Sequence, residues 1–256
     1  MIPIRRDDTA ALSPDQRAAI TNIATSPWLI QPLSAPAGAG KTTAMSALRR
    51  AWEKEHGAGS VVGLAPSAVA AQVLGEDLGI ATENTAKWWQ THRTTGATFN
   101  AGQLVIVDEA SLAGTLSLDR ITNLAAEAGA KVLLIGDYAQ LQSVDAGGAF
   151  SLLVHDRNDA PELVDVHRFA NEWEKTASLS LRHGRTEVID TYMEHGRVTG
   201  GETEAMIDAA YTAWRARPGA AIVTSMVLED LSLTDAAKLL RKSKEGARGV
   251  ISDLLD

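Results

Sequence analysis

The sequence predicts an α/β fold in which a parallel β-sheet is covered by helices on both faces. Through the first two-thirds of the 256 residues, short apolar runs alternate with helical stretches, as buried strands do when crossover helices connect them. Strands are predicted at Leu29–Ser34, Val61–Ala65, Leu104–Asp108 and Lys131–Gly136. Helices are predicted over Lys41–His56, Ser67–Leu74 and Leu116–Ala128, where Ala and Leu recur every three or four residues.

The two ends of this pattern differ from its middle. An early helix begins at Ser13-Pro14-Asp15-Gln16, which combines a capping serine, a proline at the first helical position and a glutamine at the third. Beyond about Pro161, helical patterns dominate from Phe169 to Arg217, and one strand-like run and one basic amphipathic stretch follow, at Ala220–Ser225 and Thr234–Gly246. We therefore expect a first domain over 1–165, a partial and mainly helical second domain over 166–225, and a basic tail over 226–256.

Composition excludes several classes of protein. The chain is 45% hydrophobic and 22% charged, as ordinary globular proteins are, and it has no cysteine for disulfides or thiolate zinc sites. No apolar run reaches the ~18 residues of a membrane span, and no apolar stretch follows the first charges as in a secretory signal. The net charge of −8 argues against coating nucleic acid through bulk charge, although it permits a local basic groove. These features favour a soluble, cytoplasmic protein.

A glycine-rich loop, Ala35–Thr43, connects the first predicted strand to a helix. Glycines let successive N–H groups point at one anion, and the helix N-terminus adds partial positive charge. Lys41 is expected to reach the β- and γ-phosphates of a nucleoside triphosphate, and the Thr42 hydroxyl is expected to bind Mg²⁺. The usual pattern has glycine where this chain has Ala35, and the alternative is a strand–helix turn that binds nothing. The predicted nucleotide-binding residues are Pro36, Ala37, Gly38, Ala39, Gly40, Lys41, Thr42 and Thr43.

Polar residues follow two further predicted strands. Asp108 and Glu109 come after four apolar residues, at the carboxyl edge where open α/β sheets bind nucleotides. Asp108 can hold Mg²⁺ through water, and Glu109 can orient or deprotonate the attacking water. Gln140 follows the next strand, and its amide can contact the γ-phosphate or that water. The alternatives are a solvated turn for the acidic pair and a loop glutamine that only satisfies backbone.

Together these segments resemble a RecD-like superfamily 1 DNA helicase, and most closely the helicase portion of conjugative relaxases. Their order and spacing are specific, since kinases and GTPases with a phosphate loop lack Asp-Glu-Ala-Ser followed by Gly-Asp-x-x-Gln. The resemblance implies a RecA-like P-loop NTPase fold that uses ATP, Mg²⁺ and single-stranded DNA. The matching segments are Leu12–Gln16, Ala35–Thr43, Leu64–Ser67, Val107–Ser111, Gly136–Leu141, Ala146–Phe150 and Val166–Arg182.

The resemblance also assigns roles, each beside a simpler alternative. Gln16 would hydrogen-bond adenine, or it would only complete the capping box with Ser13. Ser67 would contact a DNA phosphate, or it would only cap its helix. Arg168 would extend to the γ-phosphate from the second domain, or it would form a surface salt bridge. Trp88 could stack on a base, although core packing is favoured for it and for its neighbour.

Unlike a complete motor of this family, the sequence shows no late helicase motifs after Arg168 and no nicking domain. We therefore expect a helicase core that is truncated in its second RecA-like domain. Two functions follow from this expectation. The first is an ATP-driven motor on single-stranded DNA that binds DNA weakly and without sequence preference, alone or with relaxase or conjugation proteins. The second is an ATP-binding module without processive helicase activity that acts through a protein partner.

Overall fold

A computed structural model describes residues 2–4, 9, 11–140, 148–157, 159–165, 169–198 and 200–216. The chain divides into two compact units, Met1–Tyr192 and Met193–Asp256. The predicted boundary near residue 165 stays a prediction. The predicted strand Ala220–Ser225 and the basic stretch Thr234–Gly246 lie outside the described residues.

Strands and helices alternate through the first unit as the sequence predicts. The strands are β1 (Ile30–Ser34), β2 (Val61–Ala65), β3 (Ala81–Asn84), β4 (Leu104–Val107) and β5 (Lys131–Gly136). The helices connected to them are α1 (Pro14–Thr25), α2 (Lys41–His56), α3 (Ala68–Leu78), α4 (Thr85–Thr95), α5 (Thr115–Ala128) and α6 (Ala149–Asp156). The later helices are α7 (Glu172–Arg182), α8 (Ile189–Glu194) and, in the second unit, α9 (Thr203–Arg215). Short 3₁₀ turns occur at Ala110–Leu112 and Thr186–Val188.

All five strands are parallel, and their order across the sheet is β1-β5-β4-β2-β3. Strand β5 therefore lies between β1, which leads into the glycine-rich loop, and β4, which leads into the acidic pair. Because the strands are parallel, their carboxyl ends meet at one edge of the sheet. The order thus brings the three predicted motifs to a common edge, with Gln140 in the middle.

The outer side of β1 accommodates the proline in this strand. Backbone N–H groups alternate in direction along β1: Ala35 donates to Gly136 of β5, whereas Ser34 donates to Pro161 on the other side. Pro32 shares the outward direction of Ser34, so its missing N–H does not interrupt the ladder with β5. Near Ser34 the outer side pairs in parallel with Glu162.

Hydrophobic residues fill both faces of the sheet. On one face, Leu33, Ile106 and Ile135 pack with residues of α1, α2 and α3, including Ile20 and Leu48. On the other face, Val105, Val107 and Leu134 pack with α5 and α6, including Ile121 and Phe150. This alternation confirms the predicted α/β class with helices on both faces. No helix in the described ranges is long and apolar enough to cross a membrane.

Candidate nucleotide site

The loop between β1 and α2 is curled by two glycines. Gly38 and Gly40 have φ angles of 85° and 72°, in the left-handed region that other residues rarely adopt. Gly40 also precedes the first turn of α2, and as a glycine it has no side chain to cap the N–H groups of that turn. Within the loop, Pro36 and Ala39 are buried, whereas Ala37 and Thr43 are exposed. The loop thus has the form of an anion-binding helix N-terminus.

The Lys41 side chain lies beside the acidic pair. Its ammonium nitrogen is 3.7 Å from Asp108 Oδ1 and 3.5 Å from Glu109 Oε1. All three side chains keep between 23% and 32% of their surface exposed, so solvent still reaches the charges. The structure therefore brings together the lysine of the glycine-rich loop and both predicted carboxylates.

Glu109 is held in an unusual backbone conformation. Among the described residues it is the only one other than glycine with a positive φ, at 50°. Its N–H donates to Asp108 Oδ1 over 3.0 Å, and the 3₁₀ turn begins directly after it. The left-handed conformation costs such a residue about 1–2 kcal/mol, and strain of this kind concentrates at functional sites.

Thr42 has a partner that the sequence patterns do not indicate. Its hydroxyl lies 3.2 Å from Asp77 Oδ2, near the C-terminus of α3. Thr42, Asp77 and Asp108 line one small cavity together with Lys41. Among the described residues, no three His, Cys, Asp or Glu side chains are grouped as metal ligands. Thr42 and Asp108 offer oxygen atoms, the ligand type that Mg²⁺ takes together with phosphate oxygens and water at nucleotide sites.

Gln16 connects the first helix to the glycine-rich loop. The predicted capping box forms: Gln16 Oε1 accepts from the Ser13 N–H over 3.2 Å, and the Ser13 hydroxyl caps the helix. The same amide donates to the carbonyl oxygens of Ala39 and Gly40, at 3.3 and 3.4 Å. Gln16 is thus a structural support of the loop, and its contact with adenine stays a prediction.

The other predicted residues are less well assembled. Gln140 is exposed, and its N–H donates to the carbonyl of Asp137 over 3.2 Å. Ser67 caps α3 by accepting from the Ala70 N–H over 3.1 Å. Arg168 lies outside the described residues. The roles of Gln140 in ATP hydrolysis and of Ser67 in DNA binding stay predictions.

The two neighbouring tryptophans are both engaged with protein side chains. Trp88 stacks on Phe99 with ring centroids 4.8 Å apart and packs against the hydrophobic core. Trp89 lies under the Arg120 guanidinium, 4.7 Å from the ring centroid. These contacts agree with the core-packing alternative for Trp88, while its stacking on DNA stays a prediction.

A largely buried arginine to which the sequence assigned no role lies next to the tip of β5. Arg182, the last residue of α7, donates from Nε to Asp137 Oδ1 at 3.0 Å, and its Nη2 forms an ion pair with the same oxygen at 2.9 Å. Nη2 is also 3.2 Å from Glu162 and 3.4 Å from the Ser34 hydroxyl. Burial alone would lower the pKa of Arg182, but the hydrogen bond and charge of Asp137 raise it above its ordinary value. Arg182 ends the matching segment Val166–Arg182, but its sequence context does not indicate contacts with Asp137, Glu162 and Ser34.

Comparisons with known proteins show the family and the fold. A family model described as an AAA domain matches residues 11–203. The chain is 37% identical over 196 residues to the conjugal transfer protein TraA of Rhizobium radiobacter, and 36% identical over 196 residues to a probable conjugal transfer protein TraA of Sinorhizobium fredii. Each alignment covers 76% of this chain and 17% of the relative, so the chain spans about a sixth of these proteins. A crystal structure of Pif1 helicase from Candida albicans shares the fold, with a TM-score of 0.51 at 15% identity over 90% of this chain and 60% of that one.

Proposed function

The chain belongs to the AAA domain family, as a superfamily 1 helicase relative akin to conjugative relaxases, and from this premise we propose that it hydrolyses ATP to move along single-stranded DNA. The proposed role is that of the motor part of a conjugal transfer protein, located in the cytoplasm. The movement along DNA and the cellular role rest on family membership. The nucleotide chemistry also rests on this chain's own residues.

One observation carries the proposal. The Lys41 ammonium group lies within 3.7 Å of Asp108 and 3.5 Å of Glu109, directly beside an N-terminal helix turn that can bind an anion. A lysine, two carboxylates and a helix N-terminus without a side-chain cap at one sheet edge match the requirements of phosphoryl transfer, which depends on positioning and on stabilising developing charge.

The residues divide the work as follows. The loop N–H groups and Lys41 bind the β- and γ-phosphates. Thr42 and Asp108 would hold Mg²⁺, and their hard oxygen atoms suit that ion. When bound, Mg²⁺ neutralises charge on the phosphate oxygens. Glu109 accepts the proton of the attacking water, and Gln140 orients that water or the γ-phosphate.

The net charge of the chain limits how tightly it should bind DNA. With a net charge of −8, the protein can hold a strand only where positive or dipolar groups gather locally, so binding should be weak and independent of sequence. Affinity should fall steeply with salt, because each phosphate contact contributes ~0.7 to the slope for single strands. Fluorescence anisotropy with a labelled oligonucleotide at ~50 and ~200 mM salt measures this dependence. Tight, salt-insensitive or strongly sequence-selective binding would contradict it.

The direct test is steady-state ATP hydrolysis with and without single-stranded DNA. We expect Mg²⁺-dependent turnover that DNA raises. Turnover that ignores DNA would remove the motor function and leave an ATPase. ATP binding without turnover would support instead an ATP-binding module that acts through a protein partner.

A further inference from the structure

Arg182 comes from a distant part of the sequence and contacts residues at the tip of β5. We call Arg182 and its partners Asp137, Glu162 and Ser34 the clamp. The Arg182 side chain is only 10% exposed and the Asp137 side chain 6%, so both charges are largely removed from water. Burying charges is costly unless they are paired and hydrogen-bonded, and here the guanidinium contacts two carboxylates and a hydroxyl. It also lies over the Tyr138 ring, 4.7 Å from the centroid. Such a pairing holds both partners in one geometry.

One oxygen atom connects the clamp to the predicted catalytic turn. Asp137 Oδ1 accepts from Arg182 and also from the Ala139 N–H, at 3.0 Å. The carbonyl of Asp137 accepts the N–H of Gln140, at 3.2 Å. The carboxylate that holds Arg182 therefore also closes the turn that carries Gln140.

The clamp reaches the strand before the phosphate loop as well. Ser34, which is contacted by Arg182, is the last residue of β1, and Ala35 directly after it donates to Gly136 over 2.9 Å. Glu162, the second carboxylate, pairs with Ser34 on the outer side of β1. Arg182 thus contacts the carboxyl ends of β1 and β5 and the neighbouring Pro161–Leu163 segment at once.

We propose that Arg182 is a positioning residue for ATP hydrolysis: through Asp137 it fixes the turn of Gln140 relative to the phosphate loop. The inference rests on the proposed function for the ATPase readout alone. Lysine cannot replace the forked guanidinium, because its single ammonium lacks the geometry to contact Asp137, Glu162 and Ser34 at once. Loss of the clamp should loosen the turn and slow the chemical step without removing the phosphate-binding groups.

The test compares Arg182→Lys with a matched control, Arg157→Lys. The Arg157 side chain is similarly buried, at 14% exposure, and pairs with Asp159, but it bonds Ile30 at the opposite end of β1. We expect Arg182→Lys to lower kcat about tenfold or more while the ATP dissociation constant changes less than about threefold. Arg157→Lys should leave both unchanged. Equal kcat values for Arg182→Lys and the wild type would overturn the proposal.

A double variant separates positioning from stability. Replacing a buried ion pair by apolar residues often preserves stability, so Arg182→Met with Asp137→Leu should keep a melting temperature near that of the wild type. The turn would still lack its carboxylate, and kcat should stay low. Recovery of kcat together with the melting temperature would show that the pair is merely structural and would overturn the proposal.

Hydrogen exchange provides a readout that needs no hydrolysis. The amides of Ala139 and Gln140 should exchange faster in Arg182→Lys and in the double variant than in the wild type or Arg157→Lys. If the wild type hydrolyses no ATP, the proposed function fails, and these amides alone decide the role of Arg182. Unchanged exchange in both clamp variants would overturn it.

Discussion

Strand β1 has a largely buried arginine side chain near each end, and the two arginines contact different groups. At the amino end, Arg157 donates to the Ile30 carbonyl over 2.9 Å and to the Gln31 amide oxygen over 3.2 Å. At the carboxyl end, Arg182 contacts the Ser34 hydroxyl and the carboxylate of Asp137. Both guanidinium groups are forked donors, and both tie a helical region of the chain to the sheet.

The partners of the two arginines explain the difference. The Asp159 side chain is 51% exposed, and the hydrogen bond from Arg157 holds the pKa of this carboxyl below its usual value. Asp137, in contrast, is almost fully buried and closes the turn before Gln140. One Arg–Asp pair is therefore partly exposed at the amino end of β1, whereas the other is enclosed at the carboxyl end, beside the candidate site. The role of each ion pair therefore depends on the residues that surround it.

The largest expected effect is on ATP hydrolysis and comes from Glu109, at the carboxyl edge of the sheet. Glu109→Gln keeps the side-chain shape but removes the base, so hydrolysis should fall by ~10²-fold or more while ATP still binds. Turnover assays and nucleotide titrations on the same preparation separate the two effects. Unchanged turnover in this variant would place the base elsewhere.

Two buried glutamines, Gln16 and Gln31, allow a second comparison between the phosphate loop and the rest of β1. Gln16, at the carboxyl end, supports Ala39 and Gly40 of the loop. Gln31, in β1, donates to Asn22 over 2.9 Å and accepts from Ser26 over 3.0 Å. Substituting either by leucine removes buried hydrogen bonds and should lower the free energy of unfolding by about 1–3 kcal/mol.

The two leucine variants should differ in nucleotide binding. Gln16→Leu frees the loop carbonyls and should weaken ATP binding several-fold, whereas Gln31→Leu should leave it unchanged. Urea denaturation and nucleotide titration measure the two properties. Equal ATP affinities in both variants would mean that Gln16 does not support the loop's function.

The smallest expected effect is a dependence of stability on pH that comes from Lys131, at the amino end of β5. Its ammonium donates to the Ser26 carbonyl over 2.7 Å, and burial, with the nearby charge of Arg157, lowers its pKa to about 8. Between this value and the ordinary pKa of ~10.4, the unfolded chain binds more protons than the folded one, so stability should rise with pH. After allowance for solvent screening, the gain should be about 1 kcal/mol.

Lys131→Met should abolish this rise, because the variant has no amine to titrate. Urea denaturation at about pH 7.5 and about pH 10 measures the difference between the two proteins. A rise of the same size in the variant would assign the effect to another group.

The sequence predicted the apolar strands of the sheet and missed the polar one. Strands β2 and β5 begin and end where the pattern indicates, β1 begins one residue later, and β4 ends one residue earlier. Strand β3 was not predicted, because Thr82, Glu83 and Asn84 are polar and lie in a strand at the edge of the sheet. Strand order, with β5 between β1 and β4, arises from tertiary packing and has no local sequence signal.

The site shows the same division. Lys41, Asp108 and Glu109 belong to motifs whose spacing reveals their chemistry, and the structure brings them together. Asp77 lies in none of the matching segments, and Arg182 ends one of them without an assigned role, so only the fold shows their contacts. Gln16 was predicted as either a cap or an adenine contact; the cap forms, and the additional bonds to the loop depend on long-range packing.

The most direct test of the central claim, that the carboxyl edge of the sheet binds the nucleotide, is calorimetric titration of Mg·ATP into three proteins. They are the wild type, Lys41→Ala and, as a lysine control at the amino edge, Lys131→Met. Loss of a cation facing the phosphates should weaken binding about tenfold or more in Lys41→Ala, whereas Lys131→Met should bind like the wild type. Equal ATP affinity in the wild type and Lys41→Ala would contradict the account.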